Sequence, residues 1–159
     1  MKQLLKLKVN DEMHEVYIEP WKTLDEVLRE ELELTGTKNA CSVGRCGSCT
    51  VLIDGKAVKS CIILALQAKG HEVTTIEGLG KDGLHPLQQA FIDHFAVQCG
   101  YCTPGMILAA KALLDENPDA TYDEIRDSLT GNLCRCTGYV KIMDAIMAAR
   151  EKMKSGERE

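Results

Sequence analysis

Gln98–Met106 reads QCGYCTPGM and Gly131–Tyr139 reads GNLCRCTGY, and these two stretches decide what kind of chain this is. They hold Cys99, Cys102, Cys134 and Cys136, a C-x2-C pair and a C-x-C pair separated by a helix-prone segment. Two thiolates two residues apart reach one iron or zinc ion without backbone strain, and the second pair completes a set of four sulfurs. A metal centre is therefore expected between helices, with the metal still to be chosen.

Composition narrows the choice. The chain has 159 residues, 45% of them apolar and 4% aromatic, with a net charge of −5. That length suits one domain or two small ones, and metal centres compensate for a core short of large rings. An acidic chain without a basic face is not a nucleic-acid binder. The N-terminal MKQLLKLKVNDE lacks an apolar signal region, and no run approaches ~18 apolar residues, so no membrane span is expected and the chain reads as cytoplasmic. Thiols stay reduced there. Eight cysteines in 159 residues also fall below the ~8–10% of a disulfide scaffold, so the cysteines read as metal ligands or redox groups.

Upstream, Leu5, Leu7 and Val9 alternate with lysines, NDEM turns, and Val16 and Ile18 resume the alternation of a β-hairpin. TLDEVLREELEL opens with Thr23 and Glu26 spaced as a capping box, with Leu24, Val27, Leu28 and Leu32 on one helical face. Trp21 and Tyr17 are expected to pack under this helix. Residues 36–48 form a loop, TVLIDGKAV a second hairpin about Asp54-Gly55, Cys61 opens a short helix, and EVTTI closes as a strand. Two hairpins, a crossing helix and a last strand predict a β-grasp domain.

The loop carries Cys41, Cys46 and Cys49, a C-x4-C-x2-C run with Cys61 downstream. This is the plant-type ferredoxin spacing for a 2Fe-2S cluster. Such a cluster with four thiolates is anionic, so backbone N–H groups must turn towards sulfur, and Gly44 and Gly47 permit that. Arg45 is either a cation beside the cluster or a solvated loop residue. Zinc also takes four thiolates, but zinc loops usually pair them as two short C-x2–4-C units.

Gly78, Gly80 and Gly83 match G-x-G-x-x-G, yet Leu84, His85 and Pro86 interrupt the helix a dinucleotide site needs. Residues 78–83 read as a linker instead, between a domain over residues 1–77 and another over 84–159. The second is helical. PLQQAFIDHFA places Leu87, Ala90, Phe91 and His94 or Phe95 inward, and Thr103-Pro104 caps the next helix. Thr121 and Glu124 form a capping box for the third, and YVKIMDAIMAAREKM puts Val140, Met143, Ile146 and Met147 or Arg150 on one stripe of the fourth. The expected fold class is α+β, a ferredoxin-like β-grasp domain followed by a four-helix bundle. His14, His71, His85 and His94 show no metal spacing, the methionines of the last helix read as core, and the tail SGERE reads as frayed. Cys99-Gly-Tyr-Cys102 has neither the following His of a c-type haem site nor a thioredoxin-like βαβ context.

VQCGYCTPGMI and GNLCRCTGY, downstream of ferredoxin-type cysteines, closely resemble the two-cluster iron–sulfur subunit of the molybdenum hydroxylases, the xanthine dehydrogenase and aldehyde oxidase family. The resemblance spans residues 3 to 150. It implies that Cys41, Cys46, Cys49 and Cys61 ligate a 2Fe-2S cluster facing a flavin, and that Cys99, Cys102, Cys134 and Cys136 ligate a second nearer molybdenum. Gln98 resembles the family residue that hydrogen-bonds to the pterin, and Cys136 the ligand that also touches it. Partners implied are a large molybdopterin subunit and a medium FAD-binding subunit, in a hetero-oligomer up to a dimer of heterotrimers. The chain would then pass single electrons between the two, with no catalytic residue of its own. Ala40 departs from the pattern, since the family usually has Gly before the first cysteine. Outside the resemblance, the cysteines also suit a free-standing ferredoxin or redox sensor, or a zinc-bound structural module.

Overall fold

The computed structural model describes residues 1–80 and 83–155. Strands β1 (Gln3–Val9) and β2 (Glu12–Ile18) pair antiparallel with Leu5 opposite Val16 and Leu7 opposite His14. The turn uses Asn10 and Asp11, both at positive φ, the backbone shape that matches the twist of a hairpin. Strands β3 (Thr50–Ile53) and β4 (Lys56–Lys59) form a second hairpin around Asp54 and Gly55, again both at positive φ. Strand β5 (Glu72–Thr74) lies between the hairpins, parallel to β1 and antiparallel to β3. The five-stranded sheet has the order β2-β1-β5-β3-β4, so both hairpins depend on β5 to become one surface.

Helix α1 (Leu24–Glu26) crosses that surface. The Thr23 amide donates to Glu26 Oε2 at 2.8 Å, the expected box. Beyond Glu26 the helix widens into a π-turn over Val27–Glu31 rather than running regularly to Leu34. Leu24, Val27 and Leu28 are buried against Leu5, Leu7, Val9, Ile18, Val51 and Val73, the first core. Trp21 and Tyr17 do not join it: they are 69% and 64% exposed. Tyr17 neighbours the buried Ile18 on a strand, and strand side chains alternate faces, so one inward residue sends the next outward.

The chain enters the second core before the expected linker begins. Helix α2 (Ile76–Leu79) sets Ile76 and Leu79 against it, and Asn10 holds the preceding Thr75 through an amide-to-Oδ1 bond of 2.8 Å. Of the expected linker, Lys81 and Asp82 lie outside the described residues, as does most of the tail, residues 156–159. Helices α3 (Pro86–Asp93), α4 (Thr103–Glu116), α5 (Tyr122–Ser128) and α6 (Val140–Ser155) follow. Phe91, Met106, Leu114, Ile125, Ile142 and Ile146 fill the core between them.

Two inward positions differ from expectation. Helix α3 ends in a Schellman arrangement, with the Ala96 amide on the Phe91 carbonyl and the Phe95 amide on that of Ile92. Phe95 occupies the left-handed position at φ 54° and stands 81% exposed, while His94 is half-buried. On α6 the buried stripe is Ile142, Met143, Ala145, Ile146 and Ala149; Val140 lies on the exposed first turn. The N-cap of α4 is Cys102, one residue earlier than Thr103, which puts Pro104 at the second helical position. The Thr121–Glu124 box forms as expected. Among the described residues no helix is long and apolar enough to cross a membrane.

Candidate metal centres

Cys41, Cys46 and Cys49 lie on the loop before β3, and Cys61 on a 3-10 turn (Ser60–Ile62) after β4. The loop turns its amides inward. Gly44 and Gly47 sit at φ 73° and 74°, and N–H groups of Val43, Cys46 and Arg45 point at the Cys41 sulfur, that of Cys46 at 3.4 Å. These donors hold the Cys41 thiol down to about 6, so it is a thiolate at neutral pH. Burial pushes Cys61 the other way, to about 12, aided by its contact with the Cys49 thiol, while the Gly44 amide opposes. The Arg45 side chain is exposed. Ala40 is exposed too, and the positive φ values of this loop fall on Ser42, Gly44 and Gly47, so its Cβ meets no restriction.

The second group forms on the segments that join α3 to α4 and α5 to α6. Cys99 follows α3, Cys102 caps α4, and Cys134 and Cys136 lie between α5 and α6. Cys136 and Cys99 sulfurs are 3.6 Å apart and both residues are exposed, as is Gln98 beside them. Burial raises Cys102 to about 12. Burial also works against the Cys134 thiolate, but the Thr137 hydroxyl at 3.2 Å, the Thr137 and Cys136 amides and the Cys102 thiol outweigh it and hold Cys134 below its ordinary range.

The sulfurs meet in twos. Cys41 contacts Cys46, Cys49 contacts Cys61, Cys102 contacts Cys134 and Cys99 contacts Cys136. Among the described residues no three or more His, Cys, Asp or Glu side chains gather around one ion position. Pairs of thiolates fit a two-iron centre, in which each iron takes two protein sulfurs; a zinc site would need all four around one point.

The two groups are tied together by residues that carried no metal signal. The Leu133 amide donates to the Cys46 carbonyl at 2.8 Å. Asn132 is buried, and its Nδ2 donates to the Gly47 carbonyl at 3.1 Å and to Thr50 Oγ1 at 3.2 Å. Tyr101, between Cys99 and Cys102, donates its hydroxyl to the Asn39 carbonyl at 2.6 Å, and Asn39 in turn donates to the buried Asp25. Thr137 and Asn132 flank cysteines within GNLCRCTG, and that adjacency was the available sign of their roles. Lys59 gave none, since its acceptor Asn132 is distant in sequence.

Comparison with known proteins agrees with this geometry. Residues 7–75 match the 2Fe-2S iron-sulfur cluster binding domain family, and residues 75–147 match the [2Fe-2S] binding domain family. The chain is 48% identical to a probable xanthine dehydrogenase subunit of Bacillus subtilis, over 99% of this chain and 91% of that one. It is 51% identical to the nicotinate dehydrogenase small FeS subunit of Eubacterium barkeri, over 93% and 95%. A chain of quinoline 2-oxidoreductase from Pseudomonas putida superposes with a TM-score of 0.93 at 46% identity, covering 99% of each. The chain belongs to the family of double 2Fe-2S small subunits of the molybdenum hydroxylases, as the iron–sulfur electron-transfer subunit of an oxidoreductase.

Proposed function

We propose that Cys41, Cys46, Cys49 and Cys61 hold one 2Fe-2S centre and Cys99, Cys102, Cys134 and Cys136 the other, in a β-grasp ferredoxin-like domain over residues 1–77 and a four-helix domain over 84–159. The observation that carries this reading is the pairing of the eight sulfurs within two groups. Each centre, when bound, accepts and releases one electron at a time. The protein groups around it set the terms: amides of Val43, Arg45, Cys46 and Gly44 stabilise negative sulfur, and burial of Cys49 and Cys61 keeps water from their side of the first group.

The exposed rim of Gln98, Cys99 and Cys136 faces the pterin of a large molybdenum subunit, with the Gln98 amide as its hydrogen-bonding group. The first group faces the FAD of a medium subunit, in a cytoplasmic hetero-oligomer up to a dimer of heterotrimers. The main-chain bond from Leu133 to Cys46, with the Asn132 side chain on Gly47, holds the two groups at one separation. The test is co-purification with partner subunits followed by iron and acid-labile sulfide analysis and spectroscopy of the reduced complex. Two distinct 2Fe-2S signals are expected. Zinc without labile sulfide, or one signal only, would overturn the reading.

A further inference from the structure

Lys59 is the last residue of β4, half-buried, with its ammonium in the seam between the two sulfur groups. It donates to Thr50 Oγ1 at 3.1 Å and to Asn132 Oδ1 at 2.9 Å. Both acceptors are neutral, and both belong to the cluster of hydrogen bonds that joins Asn132 to Gly47. Lys59 stands opposite Thr50 in the β3–β4 pairing, beside Cys49, and two residues before Cys61, and the next amide, that of Ser60, donates to the Cys49 carbonyl, so the first sulfur group is its neighbour. A cation withdrawn from water costs free energy, and neutral acceptors repay only part of it. The four cysteine sulfurs of a bound 2Fe-2S centre would supply the compensating negative charge.

We propose that Lys59 is a positioning residue for electron transfer: clamped by Thr50 and Asn132, it is a fixed positive charge that raises the reduction potential of the first 2Fe-2S centre relative to the second. This rests on the cysteine assignment proposed above. Adding one electron to a centre adds one negative charge, and a nearby cation at an effective dielectric of about 20 favours the reduced form. An electron exchanged between the two centres rests on one or the other, so the charge biases where it rests. Asn132 lies two residues before Cys134, so the second group's own loop holds the cation in place on the first.

The experiment is a redox titration of the assembled complex followed by EPR, comparing the wild type with K59M, K59Q and K59R. The first centre is identified as the signal lost in Cys46→Ser. K59M is expected to shift its reduction equilibrium by about tenfold against reduction, about 59 mV for one electron, with a much smaller shift of the other. K59R is expected to restore the wild-type value. Should K59M fail to retain both centres, K59Q, whose amide still donates to Asn132 without charge, supplies the same reading. An unmoved first midpoint in a neutral variant that keeps both signals overturns the proposal, as does a K59R value as low as that variant's. A wild-type complex with fewer than two 2Fe-2S signals overturns the cysteine assignment itself, and this inference with it.

Discussion

The Gly47 carbonyl oxygen lies where a Cβ on Gly105 would stand, 2.2 Å from that position. Gly47 sits between Cys46 and Cys49 and Gly105 on the first turn of α4, so this contact presses the loop of the first sulfur group onto the helix that Cys102 caps. The Asn132 amide donates to the same carbonyl.

Gly105→Ala is therefore expected to destabilise the protein, although alanine normally favours a helix by about 1 kcal/mol over glycine. Backbone oxygen cannot rotate away as a side chain would, so the overpacking cost of about 1–3 kcal/mol exceeds the propensity gain. Denaturant unfolding of the holoprotein checks the sign; a more stable variant would mean that the halves separate at little cost.

Phe95→Gly is expected to do the opposite. Phe95 holds a left-handed conformation at φ 54° with its ring in solvent, so glycine relieves about 1 kcal/mol of backbone cost and gives up little burial. A higher Tm for the isolated subunit is the expected result, and an unchanged or lower one counts against the Schellman assignment.

His85 gives a pH dependence with a defined sign. Its Nδ1 accepts from the Leu87 amide at 3.2 Å, which only an unprotonated nitrogen can do. Burial first, then the Lys111 charge, lowers its pKa from 6.5, while Asp115 opposes. At pH above 6.5 folded and unfolded forms are both neutral and the contribution is complete. As pH falls through 6.5 the unfolded chain takes the proton first, and stability drops until the lower folded value is reached. The Tm of the wild type minus that of H85N, which keeps a capping acceptor without titrating, should fall between about pH 8 and about pH 5.5. A flat difference would remove His85 as the cause.

Cys102→Ser is expected to abolish the second 2Fe-2S signal and to reduce turnover of the complex to background, with the first signal retained. Cys102 is both a pair partner of Cys134 and the cap of α4, so the unfolding midpoint should be measured alongside. Turnover at the wild-type rate would contradict a route through this group.

Much of this molecule was legible beforehand because its signals are local. The two tight turns and the Thr23–Glu26 and Thr121–Glu124 boxes all span a few residues, and each formed. What escaped depends on neighbours remote in the chain. The partners of Lys59 and Asn132 lie across the seam, and the π-turn at Val27–Glu31 interrupts a segment whose pattern suits a regular helix. Trp21 and Tyr17 show a different failure: large rings suggested burial, but the alternation that buried Ile18 had already turned Tyr17 away.

The contact of the Gly47 carbonyl with the α4 backbone at Gly105 also bears on noise. Peptide groups have no alternative rotamers, so a gap defined by them does not flicker on the timescale of side-chain hops. Tunnelling decays steeply with distance, and a conduit whose spacing is written in main-chain atoms should conduct at a rate nearly indifferent to the restlessness of its surface.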